Sequence, residues 1–228
     1  MQILGFHKLS LVDYPKKLSS VIFTGGCNFN CPYCHNKNIV NQTGDHIDEE
    51  ELEKILLRRK KYVSTLCISG GEPTLQNDLV DFIEKYKKIG FDIKLDTNGS
   101  NPEVLKELLK KNCLDYVAMD IKTDIHDYKA VIGKYGFEEK IMRSINLLKE
   151  STIDYEFRTT FVKELITEES IKGLKIMVEN SKRFVLQRGK LNDDVLEPNT
   201  NMRSFTAEEM EQLRDEFTPL AEEIRLNL

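Results

Sequence analysis

The chain has 228 residues, 40% of them apolar and 31% charged, with 11 Phe and 8 Tyr, enough to bury a core and too hydrophobic for a disordered chain. Its 33 Lys and Arg stand against 38 Asp and Glu, a formal charge of -5, so no overall cationic field favours nucleic acid as the main partner. No apolar run approaches the roughly 18 residues that a bilayer span needs, and the opening MQILGFHKLS lacks a secretory apolar stretch, so a cytoplasmic protein with no membrane partner is expected.

In chain order, residues 1–18 read as an amino-terminal extension. The first strand, SSVIFTG (19–25), is rich in β-branched and aromatic residues and runs into Cys27-Asn-Phe-Asn-Cys31-Pro-Tyr33-Cys34-His35-Asn36. Asp48 then precedes Leu52, Ile55 and Leu56, a helical spacing behind a capping residue. The second strand, TLCISGG (65–71), leads into Glu72-Pro73, and Asn77 is expected to open a helix bearing Leu79, Phe82, Ile83 and Tyr86. The third strand, FDIKLDT (91–97), is followed by Asn98-Gly99 and by Asn101-Pro102-Glu103, a cap with proline at the first helical position ahead of Leu105, Leu108 and Leu109. The fourth is YVAMDIK (116–122) and the fifth YEFRTT (155–160), after which Thr167 with Glu168 and Glu169 opens another helix. The sixth, RFVLQRG (183–189), precedes an irregular stretch over 189–204 and a last helix with Thr206 and Glu209 at capping-box spacing; Met210, Leu213 and Phe217 form its stripe, and Pro219 bends or ends it.

Strands alternating with helices favour parallel β/α units, because a parallel pair needs a crossover. A complete eight-unit barrel uses about 250 residues, so six units predict an α/β fold of the partial (β/α)6 TIM type, with a doubly wound sheet as the alternative. No Pro/Gly/Ser-rich linker interrupts the chain, so one domain over 1–228 is expected: the extension 1–18, six units over 19–189, and a loop and helix over 190–228. Ligands of such folds bind beyond the carboxyl ends of the strands.

Cys67 lies in an apolar strand and Cys113 at a helix end, as small buried hydrophobes do. Cys27, Cys31 and Cys34 instead cluster at a strand's carboxyl end, where three soft thiolates suit a soft metal. A structural zinc and a cubane iron–sulfur cluster each normally take four protein ligands, so three leave one position open. Completion of a zinc site by His35 is disfavoured because adjacent residues seldom share one tetrahedral ion, and a disulfide is disfavoured in a reducing compartment.

CNFNCPYC resembles the CxxxCxxC signature of the radical SAM enzymes, with Tyr33 as the usual aromatic before the last cysteine. The resemblance implies a [4Fe-4S] cluster on Cys27, Cys31 and Cys34 whose open iron is chelated by S-adenosyl-L-methionine. It also implies an electron donor such as flavodoxin or ferredoxin, and cleavage of the sulfonium to methionine and a 5′-deoxyadenosyl radical. Gly70, Gly71 and Glu72 resemble the family's GGEP element, which holds the methionine amino group; the glycines would permit close backbone approach and Glu72 would add an acceptor. An ordinary Gly-Gly turn is the alternative.

DTNG (96–99) and MDIK (119–122) resemble the corresponding segments of activating enzymes for glycyl radical proteins. That likeness implies that Asp96, Thr97 and Asp120 line a monovalent-cation and S-adenosylmethionine site, with Lys122 facing the cofactor. Arg158 is expected either to clamp the methionine carboxylate with its planar fork or to form a structural ion pair. Gln187-Arg188-Gly189 departs from activating enzymes that carry a histidine there, which leaves the adenine and ribose contacts unassigned.

The stretch GFHKLSLVDYPKKLSSVIFTGGCNFNCPYCHN, with the later motifs, resembles the longer type of activating protein for anaerobic ribonucleoside-triphosphate reductase. It implies an oxidoreductase that converts a glycine of that partner to a glycyl radical. No cysteine-rich insert follows Cys34, so one cluster is expected. The alternatives are activation of another glycyl radical enzyme of the pyruvate formate-lyase type, a small-molecule enzyme such as 7-carboxy-7-deazaguanine synthase, or a non-catalytic iron–sulfur or zinc module. HExxH and GxxxxGK[ST] are both missing from the sequence, so hydrolysis and phosphoryl transfer have no support.

Overall fold

The computed structural model describes residues 1–192, 194–198 and 200–228. Its strands are β1 (Ile3–Ser10), β2 (Ser19–Thr24), β3 (Thr65–Gly70), β4 (Asp92–Thr97), β5 (Tyr116–Asp120), β6 (Asp154–Phe161), β7 (Ser181–Arg188) and β8 (Ala221–Asn227). Its helices are α1 (Lys37–Val40), α2 (Glu49–Arg59), α3 (Leu79–Ile89), α4 (Pro102–Lys110), α5 (Tyr128–Ile132), α6 (Glu138–Glu150), α7 (Glu168–Val178) and α8 (Ala207–Phe217). The chain divides into two compact units: Met1–Asn28, Asn38–Thr97 and Glu103–Val117 make the first, and Phe29–Lys37, Asn98–Pro102 and Ala118–Leu228 the second. Among the described residues no helix is long and apolar enough to cross a membrane.

In the first unit β1 pairs antiparallel with β2, and β2, β3 and β4 run parallel. The register sets Val21 beside Cys67 and Cys67 beside Lys94. Side chains alternate between the faces of a strand, so Lys94 and Asp96 share one face of β4 while Ile93 and Leu95, both fully buried, take the other. The helices supply their predicted faces, Leu52 and Leu56 from α2 and Leu79, Phe82, Ile83 and Tyr86 from α3, all buried; each fully buried large apolar side chain is worth roughly 1.5–3 kcal/mol. Asp48 caps α2 by accepting the Glu51 N–H at 2.9 Å. The cap residue of α3 is Asp78 rather than Asn77, and its carboxylate makes no cap bond but pairs with the amino-terminal ammonium.

In the second unit β6, β7 and β8 run parallel. Thr167 and Ser170 form a capping box at the start of α7, and Thr206 and Glu209 form the predicted one at α8. Phe217, at the end of α8, is fully buried against Phe184 and Phe161, with ring centroids 5.0 and 6.4 Å away. Because that helix seats an aromatic anchor, Thr206→Ala should cost about 1 kcal/mol, the usual value of an N-cap. Urea unfolding should show a lower midpoint at unchanged slope, and an unchanged midpoint would mean that the box contributes nothing.

Two strands lie outside the six expected. β1 falls in the predicted extension, and its burial does not alternate, with His7, Lys8 and Leu9 exposed in succession, so no period-two signal marks it. β8 corrects the expected carboxyl-terminal loop and helix: Pro219 sits in a short 3-10 turn, Thr218–Leu220, that ends α8, and the chain then re-enters the sheet beside β7. Its sequence AEEIRLN is half-exposed and carries charges, which hides it from a hydrophobicity pattern. The stretch 189–204, of which residues 193 and 199 lie outside the described residues, buries Val195, and Ser204 forms an isolated bridge to Val162. Leu196 and Glu197 donate backbone N–H groups to the carbonyls of Cys34 (2.8 Å) and Pro32 (3.0 Å).

Candidate active site

In the first unit the carboxyl ends of β2, β3 and β4 present Cys27, the Gly70-Gly71-Glu72 turn, and Asp96 with Thr97. The two glycines serve close packing between the turns. Gly70 has φ +122°, and a Cβ on it would lie 2.3 Å from Thr24 N; a Cβ on Gly71 would lie 1.9 Å from the Gly26 carbonyl oxygen. That contact is hydrogen-bonded: Gly71 donates to the Thr24 carbonyl at 2.9 Å and Glu72 to the Gly26 carbonyl at 2.8 Å. The segment leading to Cys27 is thus clipped to the β3 turn through the backbone.

Glu72 is fully buried. Its carboxylate Oε1 accepts the Thr74 N–H at 3.1 Å and the Thr97 hydroxyl at 2.7 Å, which joins the ends of β3 and β4 through one charge. Asp96 is paired with the Lys94 ammonium, and its other oxygen accepts the Ser69 hydroxyl at 3.1 Å. The Lys94 side chain is 2% exposed, and its nitrogen also lies 3.9 Å from Cys67 Sγ. Burying an ammonium costs several kcal/mol unless a carboxylate meets it, so Lys94 and Asp96 require each other.

In the second unit Cys31 is buried and Cys34 half-exposed, joined in a turn by the Cys34 N–H to the Cys31 carbonyl at 3.0 Å. Asp120, at the end of β5, accepts Arg158 Nε at 2.8 Å on one oxygen and Lys122 Nζ at 2.9 Å on the other. Arg158 therefore makes the ion pair that was the alternative to a cofactor clamp. Lys122 is further fixed through its backbone N–H, which donates to the hydroxyl of buried Tyr128 at 3.0 Å.

The electrostatics of this set are coherent. Burial pushes the Cys31 thiol up to about 11, with the Lys122 charge pulling it back and Cys34 and Asp120 pushing it further. Burial also opposes the Asp120 charge, but the Arg158 and Lys122 charges prevail and hold the carboxyl well below the ordinary carboxylate range. Burial opposes the Lys122 charge as well, and Asp120 reverses that effect, so the ammonium stays protonated. The Tyr33 hydroxyl is held neutral, first by burial and then by Cys31; it has no well-formed hydrogen bond among the described residues.

The donor chemistry suits an iron–sulfur cluster: Cys27, Cys31 and Cys34 are free cysteines, soft ligands with no fourth beside them in the motif. Among the described residues no three His, Cys, Asp or Glu side chains are grouped to hold a metal ion, so the expected convergence of the three sulfurs is not seen and the fit to a cluster rests on the chemistry of the donors. Lys94, Ser69 and Tyr128 were not singled out in the sequence. Lys94 carried one signal, its two-residue spacing from Asp96 in a strand, whereas Tyr128 reaches Lys122 through a turn with no periodic trace.

A family model described as the Radical SAM superfamily matches residues 21–175. A "putative glycyl-radical enzyme activating enzyme" of Methanocaldococcus jannaschii is 39% identical over 194 residues, 83% of this chain and 80% of that protein. The pyruvate formate-lyase-activating enzyme of Clostridium pasteurianum is 32% identical over 188 residues, 78% of this chain and 76% of its own length. Among solved structures, Streptococcus suis SuiB bound to S-adenosylmethionine superposes with a TM-score of 0.72 at 16% identity, over 91% of this chain and 50% of that one. That likeness shows the fold, α/β of the partial TIM-barrel kind found in radical SAM enzymes. The family match spans more than half of the chain and the relatives cover most of it, so the chain belongs to the radical SAM superfamily, among the activating enzymes of glycyl-radical enzymes.

Proposed function

We propose that this single radical SAM domain works in the cytoplasm as the activator of an anaerobic ribonucleoside-triphosphate reductase, generating the glycyl radical on that partner. Cys27, Cys31 and Cys34 would hold a [4Fe-4S] cluster, which when bound supplies the electron for cleavage of S-adenosylmethionine, after reduction by a flavodoxin or ferredoxin. The observation that supports the site assignment is the ion-pair set that acts on the Cys31 thiol: Lys122 is held by Asp120 and Asp120 in turn by Arg158, which would keep a cationic side chain facing the cofactor. Gly70, Gly71 and Glu72 would shape the place of its amino group. Tyr33, with its neutral hydroxyl, would cover the cluster against water, and Thr97 and Asp96 would orient the β3 and β4 ends. The long resemblance of residues 5–36 supports the choice of partner.

The relative from Clostridium pasteurianum favours a second reading, activation of a pyruvate formate-lyase. Anaerobic mixing of the reduced, reconstituted protein with S-adenosylmethionine and each candidate partner separates the two. A glycyl doublet in the electron paramagnetic resonance spectrum is expected with the reductase, together with 5′-deoxyadenosine, and not with the lyase. The reverse pattern would replace the first reading by the second.

A further inference from the structure

The resemblance implied a monovalent cation at Asp96, Thr97 and Asp120, and the charges in this chain do not fit one. The Thr97 hydroxyl is given to Glu72. Asp120 is met by two cationic side chains. Asp96 is met by the Lys94 ammonium on one oxygen and the Ser69 hydroxyl on the other. Lys94 and Cys67 are register partners, and each is two residues before Asp96 and Ser69 respectively. The four side chains therefore form two adjoining layers on one face of β3 and β4, with the ammonium in the layer beneath the carboxylate. Its stem is buried and its charge lies 6.0 Å from the Tyr116 ring centroid, so the Nζ atom is held to Asp96 by its surroundings as well as by attraction.

We propose that Lys94 is a built-in monovalent cation: its ammonium supplies to Asp96 the positive charge that a bound sodium or potassium ion would otherwise provide. The inference rests on the reading of the chain as an S-adenosylmethionine enzyme. An ammonium and a potassium ion carry the same charge, and one already placed by the strand needs no capture from solution. An added ion near Asp96 would meet an ammonium and be repelled.

The test compares S-adenosylmethionine binding to the reconstituted protein by anaerobic equilibrium dialysis in potassium, sodium or tetramethylammonium salt at one ionic strength. The wild-type affinity is expected to agree within about twofold across the three salts. Lys94→Met, which keeps the length of the side chain without its charge, should bind about tenfold more weakly in tetramethylammonium and recover in potassium or sodium, because the ammonium that meets Asp96 is gone and a small cation can take its place. Wild-type affinity that falls about tenfold in tetramethylammonium overturns the proposal, as does a Lys94→Met protein indifferent to the salt. The wild-type series decides the matter even where the variant does not fold. Sodium NMR linewidths give a readout free of the cofactor: the wild-type protein should cause no saturable broadening, and saturable broadening would sink the inference. Failure to bind S-adenosylmethionine in every salt would count against the functional reading, with the linewidth still deciding on Lys94.

Discussion

Cys31→Ala protein, reconstituted anaerobically with iron and sulfide, is expected to remain nearly colourless, to hold little iron and to form no 5′-deoxyadenosine above background. Loss of a supporting residue around a metal centre costs about 10–100-fold, and loss of a ligand should exceed that. Cys31 is the most informative of the three because it is the buried one, with the Lys122 charge favouring its thiolate. Cys113→Ala is the control. That thiol is also buried, with its pKa raised by burial, but it follows α4 and is no part of the CxxxCxxC motif in sequence, so its loss should leave colour, iron and cleavage intact. Iron content retained in Cys31→Ala, or lost in Cys113→Ala, would reassign the ligands.

Asp120→Asn should be strongly destabilising, by about 3 kcal/mol in urea unfolding of the cluster-free protein. The carboxylate holds two cations, Lys122 and Arg158, whose side chains are each 16% exposed; an amide would remove the negative charge that both of them meet. The pH dependence carries a sign. A carboxyl group held below its ordinary range contributes its full stability above the unfolded value of about 3.9 and loses it as the pH falls through the lowered folded value. The gap between wild type and variant should therefore be level from neutral pH down to about 4 and close below it. A gap that narrows between pH 7 and 5 would point to a group other than Asp120.

Much of this arrangement could be read from the chain alone, and the reasons are local. The six expected strands are present with ends shifted by one or two residues, because each combines β-branched residues with a Gly, Asp or Pro boundary. The box at Thr206 formed at its expected spacing because a capping signal is read over four residues, and Thr167 opens its helix as expected, with Ser170 as a box partner that was not foreseen. The cysteine motif was legible for the same reason. What escaped the sequence depends on partners that are not neighbours. Arg158 lies 38 residues from Asp120, and no spacing rule chooses between a cofactor and an ion pair for it. Glu72 reads as a ligand in a GGEP turn, whereas the fold uses the same carboxylate to gather Thr74 and Thr97. Lys94 drew no reading of its own, because a single lysine within a strand gives no sign that it will be buried against Asp96.

The segment after β7 meets the cysteine turn through the amides of Leu196 and Glu197 and the carbonyls of Pro32 and Cys34, with no side chain taking part in those two bonds. Such a clamp is indifferent to side-chain identity, and it forbids only proline, which has no amide hydrogen to give. Substitutions other than proline at residues 196 and 197 should therefore leave the two bonds in place. For anyone redesigning the protein's surface, the length of the segment and the path of its backbone at these two bonds matter more than the side chains of residues 196 and 197, whereas Val195 beside them is fixed by its burial.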